Sequence, residues 1–521
     1  MKFQLTSIQR KVLWSLFAVV AIVRLLSLGS YPLADTTEAR YGEIARLMAE
    51  TGNWITPQIH QGVPFWGKPP LSTWLSALSI RLFGVNEFAI RLPSFLLALL
   101  VLAMVYFIAV RQRGRDFALV ATVVLTLSVL FFVSSGAVMT DSALLLGTTL
   151  SMIAFWRIMT SEELSALVWG YLFFVGLAIG LLAKGPVALI LVGLPVGGWV
   201  VWQRQWDQVW HRLPWFSGLA LCFALSAPWY YLAELKTPGF LDYFLIGEHW
   251  KRFMVSGWQG DLYGNAHSRP LGTIWLYWLA TALPWSLVLL VSFFRKEFRQ
   301  KAVFLLRRRD GWGVYLVLWS VAPMVFFTLA GNILWTYVLP GLPAFALLVA
   351  ELMLPGQPES TVKTISPDPG VGKVIGIAVT TTLLFVSAWM LIAGQIVPPR
   401  KCQKGLITTY QAARAESAGD LIYLFKRPHS AEFYSRGQAI LVEQPAEVER
   451  YFQNSIDDYF AIKKGDLKRL PAETRNRVTK IGEFNGYYLL KEKSRYDEEK
   501  NSRLLPESPG AFREKPEVGI I

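Results

Sequence analysis

LPSFLLALLVLAMVYFIAV, residues Leu92–Val110, carries no charged side chain from end to end. A helix rises about 1.5 Å per residue, so a run of this length crosses the roughly 30 Å apolar layer of a bilayer. Ten further apolar runs share the pattern, from Val12–Gly29 to Val374–Gly394. Among them are Phe117–Ser134, Thr273–Phe294 and Trp335–Leu354, and Leu71–Phe83 is a shorter apolar piece. The fold class that follows is an α-helical polytopic membrane protein with about 11–13 transmembrane helices.

Composition agrees. Of 521 residues, 53% are hydrophobic and only 17% charged, where a soluble chain carries roughly a quarter charged. The net charge of +14 fits basic cytoplasmic loops rather than a nucleic-acid surface. Cys222 and Cys402 give no disulfide framework and no metal-ligand spacing. The N-terminal run lacks a small-residue cleavage site after Leu28 and reads as a retained first helix.

The Lys/Arg bias sets the orientation. With the N-terminus inside, the densest basic run, Arg295-Lys296 through Arg307-Arg308-Arg309, falls in the cytoplasm. Eleven spans then put the C-terminal segment outside. Residues 1–396 form the membrane domain, with a first external loop over 30–91. Residues 397–495 form a small extracytoplasmic α/β domain, with strands expected at Leu421–Phe425, Ala439–Val442, Tyr459–Ile462 and Gly486–Leu490. Residues 496–521 read as a disordered tail. In the first loop, Thr36 to Glu50 has a Thr cap and an Ile44/Leu47/Met48 apolar face, and Gly52 ends it. That pattern predicts an amphipathic helix on the membrane surface.

The chemically capable residues lie at the external ends of these runs. Asp35 and Glu38 follow the first span and could act as bases, or merely cap a helix. Arg40 and Tyr41 come at once. Lys68, in a proline-rigid aromatic loop, is either a snorkelling lysine or a cation placed for an anion. Asp141 opens a span, where a carboxylate also caps. Lys184 in Ala-Lys-Gly-Pro is a cation on the external side, against the charge bias, which suits a lipid phosphate. Arg252 follows Glu248-His249 in the next loop, a pair that a divalent metal could use. Tyr337 sits at an outer rim, where an aromatic-belt anchor is the ordinary reading. Arg24, inside the first span, reads as snorkelling outward. No P-loop or GxGxxG element is present.

Asp35-Thr-Thr-Glu-Ala-Arg-Tyr-Gly-Glu, Lys68-Pro-Pro-Leu, Met-Thr-Asp141, Ala-Lys184-Gly-Pro, Glu-His249 and Tyr337-Val-Leu-Pro occur in this order. Together they resemble the polyprenyl-phosphate-sugar-dependent glycosyltransferases of GT-C fold, a family that includes lipid A 4-amino-4-deoxy-L-arabinose transferases and protein O-mannosyltransferases. The resemblance covers about residues 10–355. It implies an undecaprenyl-phosphate sugar or similar donor and a lipid or glycoconjugate acceptor such as lipid A. It implies a bacterial inner-membrane location with a periplasmic catalytic face. It further implies a first-loop carboxylate as catalytic group and Arg40, Tyr41 and Lys68 beside the donor phosphate. Asp141 would shape the cavity, and Glu248-His249 would contribute to a metal site. Three positions depart from the family pattern. Thr37-Glu38 replaces the usual Asp-Glu pair, leaving Asp35 and Glu38 as alternative bases. Gly67 stands where an acidic residue often precedes the loop lysine, and Ile333 where a lysine is frequent. The rival class, a lipid or lipid-linked sugar flippase, would place ionisable groups near the bilayer midplane, whereas these spans are nearly charge-free.

Overall fold

The computed structural model describes residues 4–161, 163–264, 267–354, 369–394, 401–414, 418–454 and 456–493. The expected tail at 496–521 lies outside the described residues, as does the boundary near 397. The chain divides into two compact units, Met1–Pro399 and Arg400–Ile521.

All eleven apolar runs are helical in the first unit, and the chain is a multi-pass membrane protein. Six described helices are each long and apolar enough to cross a membrane: Glu87–Arg113, Asp141–Thr160, Ser165–Lys184, Trp215–Lys236, Trp335–Met353 and Gly370–Ala393. Others are shorter or broken. The run Thr273–Phe294 is not one straight span: helices Thr273–Thr281 and Trp285–Phe293 meet at 107°. Pro284 lies at the bend, where its ring and missing N–H forbid a continuous ladder. The run Phe117–Ser134 is likewise split, into Arg115–Thr126 and Val129–Ser134. The two breaks serve each other, because the Val129 N–H donates to the Leu283 carbonyl at 3.0 Å. Backbone groups freed in an apolar medium need such partners.

Close packing fixes the bundle. Asp141–Thr160 lies hard against the following helix through small residues. A Cβ on Gly176 would stand 2.4 Å from Ser151 Oγ and 2.7 Å from the Gly147 carbonyl, so only glycine lets these helices approach so closely. At the other end of the bundle, Arg113 pairs with Glu351 at 2.8 Å, and Trp312 donates to the same carboxylate.

The first-loop helix runs Thr37–Thr51 and ends at Gly52, whose φ of 69° favours glycine. Thr36 makes no side-chain cap. The surface placement expected for this helix does not hold, since Ala39 and every residue from Gly42 to Ala49 are buried by protein. Its polar face is neutralised internally: Arg46 donates to both Glu43 oxygens at 2.8 and 2.5 Å and also pairs with Glu50. The helix packs on Leu71–Phe83, which in turn packs on Glu87–Arg113.

The second unit holds a five-stranded sheet in the order Ile440–Val442, Leu421–Leu424, Tyr459–Lys463, Tyr487–Glu492, Val478–Phe484. The first three strands are parallel and the last two antiparallel. The four expected strands are present. Val478–Phe484 escaped the sequence reading because it is an edge strand carrying Lys480 and Glu483, with no regular apolar alternation; charged edges are how sheets avoid unwanted pairing.

Candidate functional site

The loop residues become a site because three anchors bring their backbones together. The first is Arg91, fully buried at the start of the Glu87–Arg113 helix. Its guanidinium donates to the carbonyls of Leu28, Tyr31 and Pro32 at 2.9, 2.7 and 3.2 Å. It also forks onto Glu38 at 3.0 and 2.8 Å. The Glu38 oxygens accept further from the N–H groups of Ala34 and Val138. A carboxylate offers about four acceptor positions, so Glu38 is fully engaged. Those contacts make Glu38 a clamp on the first-loop turn. Asp35 lies half-buried in the turn that Arg91 holds.

The second anchor joins Asp141, Lys184, Tyr337 and His249. Lys184 Nζ stands 2.5 Å from Asp141 Oδ1 and 4.5 Å from the centre of the Tyr337 ring. Asp141 is therefore an ion-pair partner rather than a simple cap, and Tyr337 faces a cation rather than lipid headgroups alone. The next residue, Gly185, has φ +83°, and a Cβ there would fall 2.6 Å from the Phe244 ring and 3.0 Å from His249 Nε2. The Lys-Gly-Pro turn thus needs its glycine so that the His249 loop can close on it.

The third anchor is Glu248, buried in the π-helix Tyr243–Lys251. Lys68 Nζ donates to it at 2.8 Å, and Arg252 Nη1 lies 3.0 Å from both of its oxygens. Arg252 is also 3.4 Å from Asp261. Burial opposes the Glu248 charge, yet Lys68 and Arg252 outweigh it and hold the carboxyl down at about 2. Lys68 also feels burial first, but Glu248 wins and raises its pKa above the usual lysine value. The charges of Tyr41, Arg252 and Tyr337 reach it as well. Lys68 spends one further N–H on the Gly67 carbonyl at 2.5 Å; an ammonium has three, so one remains for a substrate anion.

Arg40 projects from the first-loop helix beside this group. Its Nη1 donates to the Tyr263 carbonyl at 2.6 Å, and the guanidinium lies over the Tyr41 and Phe65 rings at 5.3 and 5.9 Å. Arg40 Nε is buried with no protein partner. An orphaned guanidinium N–H costs free energy unless something accepts from it, and an oxyanion is the natural acceptor.

The residues do not fit the metal expected at Glu248 and His249. His249 Nδ1 stands 2.7 Å from the Phe244 carbonyl oxygen and Nε2 3.1 Å from that of Lys184. Neither ring nitrogen is turned toward open space, and Glu248 is already saturated by two cations. Among the described residues no group of three or more His, Cys, Asp or Glu gathers as a metal would require. His249 instead fastens its loop to the Lys184 turn, and burial lowers its pKa.

Sequence reasoning missed Arg91, Asp261 and Asn332. Asn332 donates to the carbonyls of Arg252 and Val255 at 2.6 and 2.8 Å and accepts from the Gly257 N–H. No spacing signals these partners, which are more than seventy residues apart. Arg24 was misread: it is buried, donates to the Val133 carbonyl at 2.8 Å and lies 5.1 Å from the Phe132 ring centre. It holds two helices together instead of reaching water.

Residues 12–244 match the family model of dolichyl-phosphate-mannose-protein mannosyltransferases. The chain is 32% identical over 407 residues to an undecaprenyl phosphate-alpha-4-amino-4-deoxy-L-arabinose arabinosyl transferase of Erwinia tasmaniensis, spanning 76% of this chain and 68% of that one. It is 30% identical to a transferase of the same name from Pseudomonas fluorescens, over 67% of this chain and 59% of the other. The fold matches the crystal structure of ArnT from Cupriavidus metallidurans bound to undecaprenyl phosphate, with a TM-score of 0.74, 18% identity, and coverage of 91% of this chain and 97% of that one.

Proposed function

The chain belongs to the undecaprenyl phosphate-4-amino-4-deoxy-L-arabinose arabinosyl transferase family of GT-C glycosyltransferases, and on that premise we propose that it moves a sugar from undecaprenyl phosphate to a lipid acceptor such as lipid A. The observation that carries the reading is the meeting of Arg40, Lys68, Lys184 and Arg252 at one rim of the bundle. These four cations come from separate stretches of the chain, and two of them keep an N–H unspent or orphaned. Charges gathered at a rim, with nearly charge-free helices beneath, favour an enzyme over a flippase.

In this reading an acceptor oxygen forms a bond to the anomeric carbon from the side opposite the carrier. The anomeric C–O bond to phosphate breaks, its electron pair leaves on undecaprenyl phosphate, and the configuration inverts. A phosphate leaving group needs positive charge more than a proton; Lys68 and Arg40 supply it, with Arg252 behind them. Where the acceptor is a hydroxyl, Asp35 takes its proton, a contribution of about 10²–10⁴-fold. Where it is a phosphate oxyanion, no proton moves and Asp35 steadies the developing oxocarbenium charge. The bias of Lys and Arg toward the loops on the other side supports a periplasmic rim in a bacterial inner membrane. Because the Thr273–Phe294 run bends back on itself, orientation rests on charge bias and not on counting spans.

The test is release of carrier. Purified protein in nanodiscs is incubated with radiolabelled undecaprenyl-phosphate sugar and lipid A. Transfer of label with release of free undecaprenyl phosphate is expected, and Asp35→Asn should abolish it in folded protein. Full transfer by that variant removes Asp35 from the chemistry; translocation of intact donor without cleavage overturns the enzyme reading.

A further inference from the structure

The segment Arg295–Asp310 takes no part in the charged rim, yet it carries the densest charge in the chain. Helix Lys296–Leu306 follows the broken run Thr273–Phe294 and leads into the Trp312–Thr328 helix. One side of it belongs to the bundle. Leu305 is buried, Phe298 and Ala302 are half-buried, and Lys301 donates to the Leu354 carbonyl. Gly313 lets this seat be close, since a Cβ there would fall 2.3 Å from the Leu305 carbonyl oxygen.

The other side faces outward. Lys296, Arg299, Val303 and Arg307 recur at three- and four-residue spacing, the mark of one helix face, and all four are exposed. The segment holds seven Lys/Arg against two carboxylates. Arg308 pairs with Asp310, whereas Arg295, Lys296, Arg299, Arg307 and Arg309 form no ion pair among the described residues. Between these cations stand Phe294, 77% exposed, and Phe304, 64% exposed. That mixture narrows the occupant. Acyl chains alone would suit the rings and strand the cations; an acidic protein or polyanion would suit the cations and leave Phe294 in water. The headgroup layer of a bilayer takes both, because rings sink to the acyl boundary while Lys and Arg reach phosphates. A zwitterionic headgroup brings its own ammonium, so an anionic one is the better counter-charge. Orientation by charge bias accounts for cations on this side, but not for their sharing one exposed face with two phenyl rings.

We infer that the outward face of Arg295–Arg309 is a docking surface for anionic phospholipid, with the five unpaired cations on headgroup phosphates and Phe294 and Phe304 among the acyl chains. The inference goes beyond the proposed function and does not depend on it, since neither donor nor acceptor takes part. Because the helix is seated on the start of Trp312–Thr328 and on Leu354, lipid held there also ties down that end of the bundle.

Gln300 is exposed on this face and both native cysteines are buried, so Gln300→Cys in the full-length protein takes a bimane label selectively. The labelled protein is placed in phosphatidylcholine vesicles containing rising fractions of brominated phosphatidylglycerol or, separately, brominated phosphatidylcholine. Phosphatidylglycerol should reach half-maximal quenching at a mole fraction roughly fivefold lower than phosphatidylcholine, and high salt should bring the two together. Leu276→Cys is the control site. Leu276 is exposed beside Trp275, which donates to Thr328 at the far end of the Trp312–Thr328 helix, and its label should show no preference. Arg295→Gln/Lys296→Gln/Arg299→Gln carrying the Gln300→Cys label should lose most of the preference; where that variant fails to insert, the salt series on the labelled parent decides. Equal quenching by the two lipids at Gln300, an equal preference at Leu276, or a preference that salt leaves intact overturns the assignment. Quenching by neither lipid overturns it too, because the face is then covered by protein.

Discussion

Replacing Glu248 with glutamine removes the one negative charge between Lys68 and Arg252 while keeping its shape. Both cations hold the Glu248 carboxyl at about 2, against an ordinary 4.5. That difference of about 2.5, at about 1.36 kcal/mol per pKa unit, corresponds to on the order of 3 kcal/mol. The Glu248 side chain is only 3% exposed, so solvent screens little of it. The sign follows from a depressed pKa: the stabilisation is complete above about pH 4.5 and is lost as pH falls toward about 2. The assay is thermal unfolding of full-length wild type and Glu248→Gln in nanodiscs, followed by tryptophan fluorescence. The variant should melt well below wild type at pH 7, and the gap should roughly halve by about pH 3 as the carboxyl of the unfolded wild-type chain takes up a proton. A second consequence appears at high pH. Without Glu248, Lys68 loses its largest counterweight to burial and its pKa falls, so undecaprenyl phosphate binding by the variant should weaken at a lower alkaline pH than in wild type. Equal melting at pH 7, or a gap that stays constant between pH 7 and pH 3, refutes the claim that this carboxylate organises the cations.

Arg91→Ala leaves the half-buried Glu38 carboxylate without its cation and three carbonyls undonated; a loss of about 2–4 kcal/mol is expected, short of a fully buried pair, read as lowered melting, with partial recovery in Arg91→Ala/Glu38→Gln. Asn332→Ala should cost about 1–3 kcal/mol for its orphaned carbonyls and loosen Arg252; undecaprenyl phosphate affinity should fall while bundle melting changes little. Asp141→Asn and Lys184→Gln should each cut sugar transfer, and their double variant should be no worse than the poorer single, since both act through one ion pair. Adding zinc or a chelator should leave donor binding unchanged; a chelator-sensitive affinity restored by zinc would reinstate a metal at His249.

The amino-acid sequence alone determined the polytopic helical class, because burying uncharged stretches as long as Leu92–Val110 in lipid is a local property of composition. It also determined the strands Leu421–Leu424 and Tyr459–Lys463, which are short apolar runs bounded by turns. The motif residues Arg40, Lys68, Asp141, Lys184, Glu248 and Tyr337 were legible as residue types of one chemistry. Their pairing was not. Whether Glu38 is a base or a clamp depends on Arg91, fifty-three residues away. Whether Glu248 and His249 bind metal depends on Lys68, Arg252 and two backbone carbonyls. Likewise, the first-loop helix looked like a surface element because its pattern shows Glu43 and Arg46 as polar without showing that they satisfy each other. An ion pair or a hydrogen bond is decided by which groups a fold brings within about 3 Å, and that choice belongs to tertiary packing.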